Sequence, residues 1–408
     1  MTMGLSVTGS YLIKLTQLSC PTSKWNPSTA VYAESIQVIV GGMIGTARSS
    51  ALNKLGHRTL YMLVILLLVA TWSFCAVAVR YCDHGNGTDI LYMLSYGVMP
   101  AMVIQLVNIS VVVLLISWFP SHMGFCSSFP FACYAIGSLL FGQWFLYLER
   151  LHEESFLAAE TVLLLSGILF VLFNVPAVFS VKLNPHQSDQ CSDEEKTVDP
   201  RRWTFRDLLK DSRFWLLSWT RFSFVFGAWG LTGRQRSFLE TIWRSPDPPI
   251  DALSAVAFGS FIAGSFLWMI ISDKVKIEYL WMFGGVMQGL TMALLPVFIS
   301  NNSSQWGVYA ALVAFSLNII TFSIPLSLCV SLTGDTYSSR DGAHISGFLG
   351  PAFGSAGLLG PISADLVFRK TGSFNNFLFI GAAIATSGLI ALKMAYRVSR
   401  RRQKEEQS

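Results

Sequence analysis

The chain has 408 residues, of which 52% are hydrophobic and only 13% are charged, and its formal net charge is +5. Soluble proteins carry about twice this share of charged residues, so a water-exposed surface cannot be built from this composition. The basic residues lie in short loops and in the C-terminal tail and not along one amphipathic helix, which argues against nucleic acid as a partner. The composition therefore predicts an integral membrane protein surrounded by the lipid bilayer.

Apolar segments follow one another along the whole chain, and crossing a bilayer takes about 20 such residues. The predicted spans are 1–18, 29–48, 57–80, 89–118, 123–147, 156–181, 213–233, 251–272, 278–299, 305–332, 342–366 and 374–396. The long polar segment at residues 183–212 divides them into six and six. The pattern predicts an all-α polytopic membrane protein with about 12 transmembrane helices.

Two signals predict that both termini are cytoplasmic. In that orientation the basic residues of the short loops and of the tail face the cytoplasm, as the positive-inside rule requires. The glycosylation acceptors Asn86-Gly-Thr and Asn302-Ser-Ser then both fall in outside loops. These acceptors are typical of a secretory route in a eukaryote, and they leave the plasma membrane and an organelle membrane equally open.

One segment near the C-terminus is rich in glycine. Its glycines recur every three or four residues, which places them along one side of a helix where a neighbouring backbone can approach closely. They are Gly347, Gly350, Gly354, Gly357 and Gly360. The spacing predicts a helix-packing seam, and Pro351 within it is expected to bend the helix because it removes a backbone hydrogen bond.

Motifs that would carry catalysis are missing from the sequence. It contains no H-E-x-x-H, no G-x-S-x-G and no phosphate-binding loop ending in Gly-Lys-Ser/Thr. The seven cysteines are scattered, without metal-ligand spacing. We therefore predict no enzyme, no cofactor and no metal site, and any energy for the protein's work is expected to come from an ion gradient.

Four short motifs in chain order resemble those of one transporter superfamily. Leu52–Arg58, after the second span, is similar to the D-R-x-G-x-R signature of the major facilitator superfamily, and Ile271–Lys274, after the eighth, resembles its repeat. Trp118–Gly124 resembles the W-F-P-x-x-x-G entry of the monocarboxylate transporter and oxalate/formate antiporter branch of that superfamily. Residues 335–347, followed by 357–361, resemble the loop and eleventh helix of the same branch.

The resemblance implies a fold and a mode of action. Members have two six-helix bundles related by an axis normal to the membrane, which alternately open a central site to either side. Applied to this chain, it gives an N-terminal bundle at 1–182, a cytoplasmic central loop at 183–212, a C-terminal bundle at 213–396 and a cytoplasmic tail at 397–408.

The signature loops place charges at the cytoplasmic ends of the second and eighth spans. Such a charge can pair with a neighbouring helix terminus and latch one conformation. The predicted latch residues are Asn53, Lys54, Arg58 and Asp273. Asp273 keeps the acidic position of the signature, whereas Asn53 replaces it in the first half, so the first-half latch is expected to be weaker. The alternative role for the basic residues is to anchor helix ends at anionic lipids.

Ionisable residues within predicted spans are costly and point to a solute or ion pathway. Lys14 lies where monocarboxylate transporters carry a lysine, and it is predicted either to hold a carboxylate or to snorkel to the outer surface. Arg221 lies about 12 Å along the seventh span from Arg213. We predict that it binds solute or forms an internal ion pair, unless the helix begins later and leaves it at the interface. Glu34 is the candidate counter-charge or proton carrier, unless it is solvated near the outer face.

One position departs from the family pattern. Members that transport carboxylates place an arginine in the eighth helix, and the matching residue here is Ser265. We keep Ser265 as a predicted substrate-binding position. Neutral, zwitterionic and aromatic solutes therefore remain as compatible with the sequence as anionic ones.

These observations favour a secondary-active or facilitative transporter of a small organic solute, monocarboxylate-like or amino-acid-like, with H+ or another ion as a possible coupling partner. The alternative is a transport-dead relative that acts as a membrane receptor or binds a partner protein. The lost arginine and the altered first-half signature fit that alternative. Uptake by the purified protein in liposomes separates the two. A membrane enzyme is a third class, which the missing catalytic motifs disfavour.

Overall fold

The computed structural model describes residues 27–46, 48–81, 87–119, 122–153, 159–180, 203–243, 250–301, 304–338 and 341–407. The side chains of some residues in these ranges are not described either, Glu34, Asn53 and Lys54 among them. All regular secondary structure in the described ranges is helical, which confirms the predicted all-α class.

The first compact unit comprises residues 1–118 and 136–188. Its helices are α1 (Pro27–Ile44), α2 (Arg48–Arg80), α3 (Thr88–Tyr92), a π-helical turn (Met93–Val98), α4 (Met99–Trp118), the second part of α5 (Met123–Glu153) and α6 (Ala159–Ser180). Gly167 of α6 lets the helix lie close on α2, because a Cβ there would stand 2.6 Å from the Cβ of Trp72. Small residues at such contacts let membrane helices pack tightly.

The second compact unit comprises residues 119–135 and 189–408. Its helices are the first part of α5, α7 (Phe205–Lys210), α8 (Ser212–Thr232), α9 (Gln235–Trp243), α10 (Ile250–Ser272), α11 (Ile277–Ser300), α12 (Gln305–Ser327), α13 (Cys329–Thr336), α14 (Gly342–Phe348), α15 (Gly350–Thr371) and α16 (Asn375–Gln407). α8 lies against α15 and α16, and α11 lies against α12 and α16. Aromatic residues fill much of the core, where Phe224 of α8 stacks on Trp281 of α11 with ring centroids 5.9 Å apart.

Helices occupy every predicted span except 1–18, which lies outside the described residues. Seven of the described helices are long and apolar enough to cross a membrane by length and composition alone. The predicted span 305–332 is divided into α12 and α13 at Leu328. The structure also contains α9, a helix that was not predicted, and its fully buried residues are Phe238, Leu239 and Ile242.

The predicted span 342–366 is likewise two helices, α14 and α15, because the helix is interrupted at Leu349. Pro351 accounts for the break, since its ring clashes with the carbonyl four residues earlier and it has no N–H to donate. Gly347 therefore lies in α14, and the other four glycines of the predicted seam lie in α15.

α15 meets α8 at Gly360. A Cβ on Gly360 would lie 2.4 Å from the carbonyl oxygen of Phe226 and 3.0 Å from the nitrogen of Gly230. Both obstacles are backbone atoms, which cannot turn aside as a flexible side chain can. The two helices therefore touch backbone to backbone, a contact that only a residue without a Cβ permits at this position.

One buried carboxylate, that of Asp211, binds two arginines. It lies at the end of the second unit that also carries Lys274 and Lys276. Asp211, immediately before α8, accepts the backbone N–H of Arg213 at 2.9 Å and its Nη2–H at 2.8 Å. Arg402 of α16 donates its Nη1–H to the same carboxylate at 3.0 Å. Asp211 and Arg213 are both buried, so this is an ion pair withdrawn from solvent.

Arg213 extends this cluster to a third segment. Its Nη1–H donates to the Thr336 carbonyl oxygen at 3.2 Å, and its guanidinium carbon lies 4.3 Å from the ring centroid of Tyr337. The same Thr336 oxygen accepts the hydroxyl of Ser399 at 2.9 Å. The loop before α8, the end of α13 and the last part of α16 are thus joined at one place.

The protonation of Asp211 follows from these contacts. Burial raises the pKa of its carboxyl, but the hydrogen bonds of Arg213 and the charges of Arg213 and Arg402 outweigh that effect, so the pKa lies below its ordinary value. A carboxyl with a depressed pKa stabilises the fold above its unfolded pKa, about 3.9, and loses this contribution as the pH falls through the lower folded pKa. The ion pair therefore remains formed at neutral and mildly acidic pH.

Gly360→Ala should destabilise the protein, because the new Cβ cannot be placed without parting α8 from α15. Overpacking of this kind costs about 1–3 kcal/mol. We expect Tm to fall by several degrees in thermal unfolding of the purified protein, at roughly 2–4 °C per kcal/mol. Gly259→Ala in α10 is the matched control, since nothing lies within 4 Å of a Cβ there. Equal Tm values for the two variants would contradict the backbone contact.

Asp211→Asn should cost about 3–5 kcal/mol of unfolding free energy, because Arg213 would stay buried without its counter-charge. Arg402→Gln should cost about 1 kcal/mol or less, since the Arg402 side chain is 41% exposed. Arg369→Gln is the control, because it also removes an arginine paired with a carboxylate, but one that is 65% exposed. Thermal or denaturant unfolding of the three variants gives the loss of unfolding free energy in each. Similar losses for Asp211→Asn and Arg369→Gln would rule out a stabilising role for the buried pair.

Candidate functional site

Arg221 lies midway along α8 and is half-buried. Its Nη1–H donates to the carbonyl oxygen of Ser346 at 3.2 Å, and its guanidinium carbon lies 5.2 Å from the ring centroid of Phe353. Its Nε is buried without a hydrogen-bond partner. No carboxylate of the described residues pairs with it. The guanidinium thus keeps donor capacity that the described part of the chain leaves unused.

Ser346, whose carbonyl oxygen accepts from Arg221, lies next to the helix break at Leu349. Ser346 lies in the last turn of α14, three residues before the break. The proline removes the donor for the Gly347 carbonyl, four residues before it, so the break and the acceptor of Arg221 lie side by side. The sequence shows the proline and the arginine, but it does not show that they act at the same place.

Four aromatic rings run from Arg221 towards α10, and we call them the aromatic row (Phe353, Trp229, Phe322 and Phe261). Trp229 meets Phe353 and Phe322 edge-on, with ring centroids 5.5 Å apart in both pairs. Phe322 and Phe261 follow at 6.3 Å. Edge-on contacts add about 0.5–1.5 kcal/mol each beyond area burial. Sequence reasoning missed this row, because phenylalanines dispersed through apolar spans give no signal that distinguishes one packing partner from another.

Ser265 lies one turn after Phe261 on α10 and is fully buried. Its hydroxyl donates to the Phe261 carbonyl oxygen at 2.9 Å, so it is already hydrogen-bonded within its own helix. No hydrogen bond joins Ser265 to Arg221. The structure therefore links these two predicted residues through the aromatic row and not through a shared polar contact.

Asp273 follows α10 and binds the beginning of α5. Its Oδ1 accepts the backbone N–H of Gly124 at 3.1 Å. A Cβ on Gly124 would lie 2.1 Å from the Oγ of Ser272, so this approach requires glycine. One turn further along α5, the hydroxyls of Ser127 and Ser331 lie 3.0 Å apart. A carboxylate at a helix N-terminus satisfies an unpaired N–H and interacts favourably with the helix dipole.

The matching loop of the first unit turns at Gly56. This residue has φ 70° inside α2, a conformation that glycine adopts at little cost. Arg58 just after it is exposed. The side chains of Asn53 and Lys54 lie outside the described residues, so the described geometry of this predicted latch is limited to the turn.

The other end of α8 carries a second ion pair between distant segments. Arg234 pairs with Asp365 of α15, and Asp365 also accepts from Arg369 at 2.9 Å. Sequence reasoning missed this pair and the one at Asp211. Many carboxylates flank predicted spans, and their spacing along the chain does not tell which of them meets a cation from another helix.

Three predicted site residues, Lys14, Asn86 and Asn302, lie outside the described residues, as does the side chain of Glu34. Within the described ranges, no group of three or more His, Cys, Asp or Glu residues could hold a metal ion.

Comparisons with known proteins give the family. The model of the Major Facilitator Superfamily, a family of membrane transporters, matches residues 22–361. A search of curated proteins finds no match. Similar solved structures are FucP, a Major Facilitator Superfamily transporter in the outward conformation (TM-score 0.64, 14% identity, covering 97% of this chain and 96% of that one), and XylE, a proton:xylose symporter bound to 6-bromo-6-deoxy-D-glucose (TM-score 0.71, 13% identity, 97% and 94%).

A second FucP structure, that of the E. coli fucose:proton symporter, is similar over 96% of both chains with a TM-score of 0.60 and 16% identity. At these identities the likeness shows the fold. The family model covers well over half of the 408 residues, and its match agrees with the helical, polytopic architecture. The chain belongs to the Major Facilitator Superfamily.

Proposed function

We propose that this member of a transporter family moves a small organic solute, monocarboxylate-like or amino-acid-like, across the membrane by alternating access. The observation that carries the proposal is Arg221, whose buried Nε has no partner. A cation inside an apolar bundle is costly unless an anionic or strongly polar group pairs with it. A solute with a carboxylate or another strong acceptor would supply that group during transport.

Phe353 supports the same role for Arg221. Its ring lies under the guanidinium and restricts the directions in which Arg221 can reach, which favours a defined position for the bound group. Ser265 and Lys14 remain proposed substrate-binding residues. Ser265 would contribute through its place at the far end of the aromatic row, because its hydroxyl is bonded within α10.

The coupling partner is proposed as H+ or another ion. Two of the similar structures are of proton symporters, which supports a proton without establishing it for this chain. Glu34 is the proposed counter-charge or proton carrier. We further propose that both termini are cytoplasmic, in the plasma membrane or an organelle membrane, with Asn86 and Asn302 glycosylated.

A transport-dead receptor is the second candidate function. It is favoured by Ser265, which stands where carboxylate-transporting members have an arginine and whose hydroxyl is occupied within its own helix. A protein that binds but does not move its ligand has no need of that arginine. The uptake experiment below decides between the two functions.

Arg221→Gln should abolish saturable uptake by the purified protein in liposomes, because the neutral amide cannot replace a charged, forked donor. The panel contains labelled monocarboxylates, amino acids and nucleobases, each measured with and without an inward proton gradient. We expect uptake of one class by the wild type and a loss of at least about tenfold in the variant, the effect of about 1.4 kcal/mol in binding.

Arg369→Gln is the control, since it removes an exposed arginine outside the proposed site. Uptake that persists in Arg221→Gln would refute the role of Arg221 but leave the transporter intact. If folded, monodisperse wild-type protein takes up no solute of any class, the transport-dead receptor replaces the transporter as the proposal.

We also propose that Asp273 latches one conformation through Gly124. In the two-bundle division predicted from the sequence, Gly124 belongs to the first bundle and Asp273 to the second, so their hydrogen bond would hold the two together at one end. Lys54, Arg58 and Asn53 would form the corresponding latch of the first half. Hydrogen bonds to charged groups contribute about 1.5–3 kcal/mol each, enough to bias a two-state carrier.

Asp273→Ala should shift the ratio of the two carrier conformations by roughly 10- to 150-fold, the equivalent of that hydrogen bond. Spin-label distances between the two predicted bundles, measured without solute, report the ratio. Gly124→Ala should cause a similar shift, because its Cβ would displace the same carboxylate, and the double variant should add little to either single one. Lys274→Gln, next to Asp273 and exposed, is the control. Additive effects of the two substitutions would contradict a shared latch.

A further inference from the structure

One exposed face of the last helix, α16, is apolar over its first part and basic towards its C-terminal end. α16 runs from Asn375 to Gln407, and its segment Asn375–Arg402 qualifies as a membrane span by length and composition. Large apolar side chains on this face are strongly exposed, with Phe379 at 53% and Ile390 at 60% of their surface. In a membrane protein, such a face contacts the hydrocarbon of the lipids.

Basic residues continue the same face beyond the apolar part. Four of them recur at intervals of four, four and three residues, and we call them the basic stripe (Lys393, Arg397, Arg401 and Lys404). At about 100° per residue, they fall within roughly 80° of arc, the same arc that holds Phe379 and Ile390. All four are exposed. One side of α16 is therefore apolar along its first five turns and cationic along its last three.

The stripe differs from the other arginines of this helix in having no acidic partner. Arg402 pairs with Asp211, and Arg400 pairs with Glu278 of α11. None of the four stripe residues forms an ion pair with any residue that the structure describes. The protein thus neutralises two cations of α16 internally and leaves four in a row for an external anion.

We propose that the basic stripe binds the headgroup of an anionic phospholipid whose acyl chains lie along Phe379 and Ile390. The ligand must be apolar at one end and anionic at the other, because the face itself changes from apolar to cationic along a single helix. A membrane phospholipid has this polarity and already lies at this depth, whereas an acidic protein or a nucleic acid would match only the cationic part. Lys393 and Arg397, about 6 Å apart along the axis, would hold the phosphate. This inference stands independently of any transported solute.

The test uses photoreactive lipids. The full-length protein in nanodiscs of phosphatidylcholine is exposed to a trace of phosphatidylserine that carries a diazirine in its acyl chain, and labelled peptides are identified after pepsin digestion. We expect labels on the apolar face of α16 around Ile390. Replacing the whole stripe with glutamine should reduce that labelling at least about fivefold, the effect of a single well-placed charge on anionic-lipid binding. A phosphatidylcholine analogue should label the site weakly in both proteins.

A control quartet removes the same charge from the same end of the unit but from other elements: Arg206→Gln, Lys210→Gln, Lys274→Gln and Lys276→Gln. It should retain the labelling of α16. A third variant exchanges lysine and arginine at each stripe position, and it should retain the labelling as well. If the glutamine quartet does not elute as folded, monodisperse protein, Arg397→Gln with Arg401→Gln replaces it, with a smaller loss expected.

Two results would overturn the proposal. Equal loss in the stripe and control quartets would mean that lipids respond only to the total charge of this end. Undiminished labelling in the glutamine quartet, or equal labelling by phosphatidylserine and phosphatidylcholine in the wild type, would show that the stripe does not bind an anionic lipid and would leave an acidic protein segment as its partner.

Discussion

A charge that is buried away from water must find its partner within the protein, and this constraint shapes the second unit more than any other. Asp211 and Arg213 are buried together because neither could be buried alone. Their remaining donors and acceptors are taken up by the Thr336 carbonyl and by Arg402, so the ion pair becomes a junction of three segments. The position of the start of α8 relative to α13 and α16 follows from the need to leave no charge unpaired.

The environment of the membrane also explains the close helix contact at Gly360 and the incomplete pairing of Arg221. Helices in lipid gain little from hydrophobic contact with one another, and close backbone approach of the kind seen at Gly360 compensates for this. The break at Leu349 precedes the helix that supplies this contact, and the Ser346 carbonyl just before the break binds Arg221. Arg221 is a cation whose pairing stays incomplete, because its buried Nε has no partner and no carboxylate of the described residues pairs with it. Incomplete pairing costs stability, which is why it marks a place where a ligand is expected.

The sequence predicted most of the elements but few of the contacts. Apolar length found the described spans, because hydrocarbon thickness imposes it on each segment separately. The acidic position of the signature pointed to Asp273, and the glycine spacing pointed to the α15 surface that holds Gly360. The partners could not be predicted. Phe226 and Thr336 belong to no motif, and the motif that ends at Gly124 does not tell which distant residue binds that glycine. Pattern reasoning identifies residues that need a partner, and only the fold supplies it.

The junction at Asp211 also bears on how the chain is made. Asp211 and Arg213 lie at the beginning of α8, whereas Arg402 lies near the end of α16, the last helix. During synthesis the N-terminal segments emerge first. Until α16 has been made, Arg213 is therefore the only one of the two arginines that Asp211 can bind. During that time α10, α11, α12 and α15 enter the membrane. The bond to Arg402 closes only when α16 has been inserted, so its formation coincides with the completion of the unit's assembly.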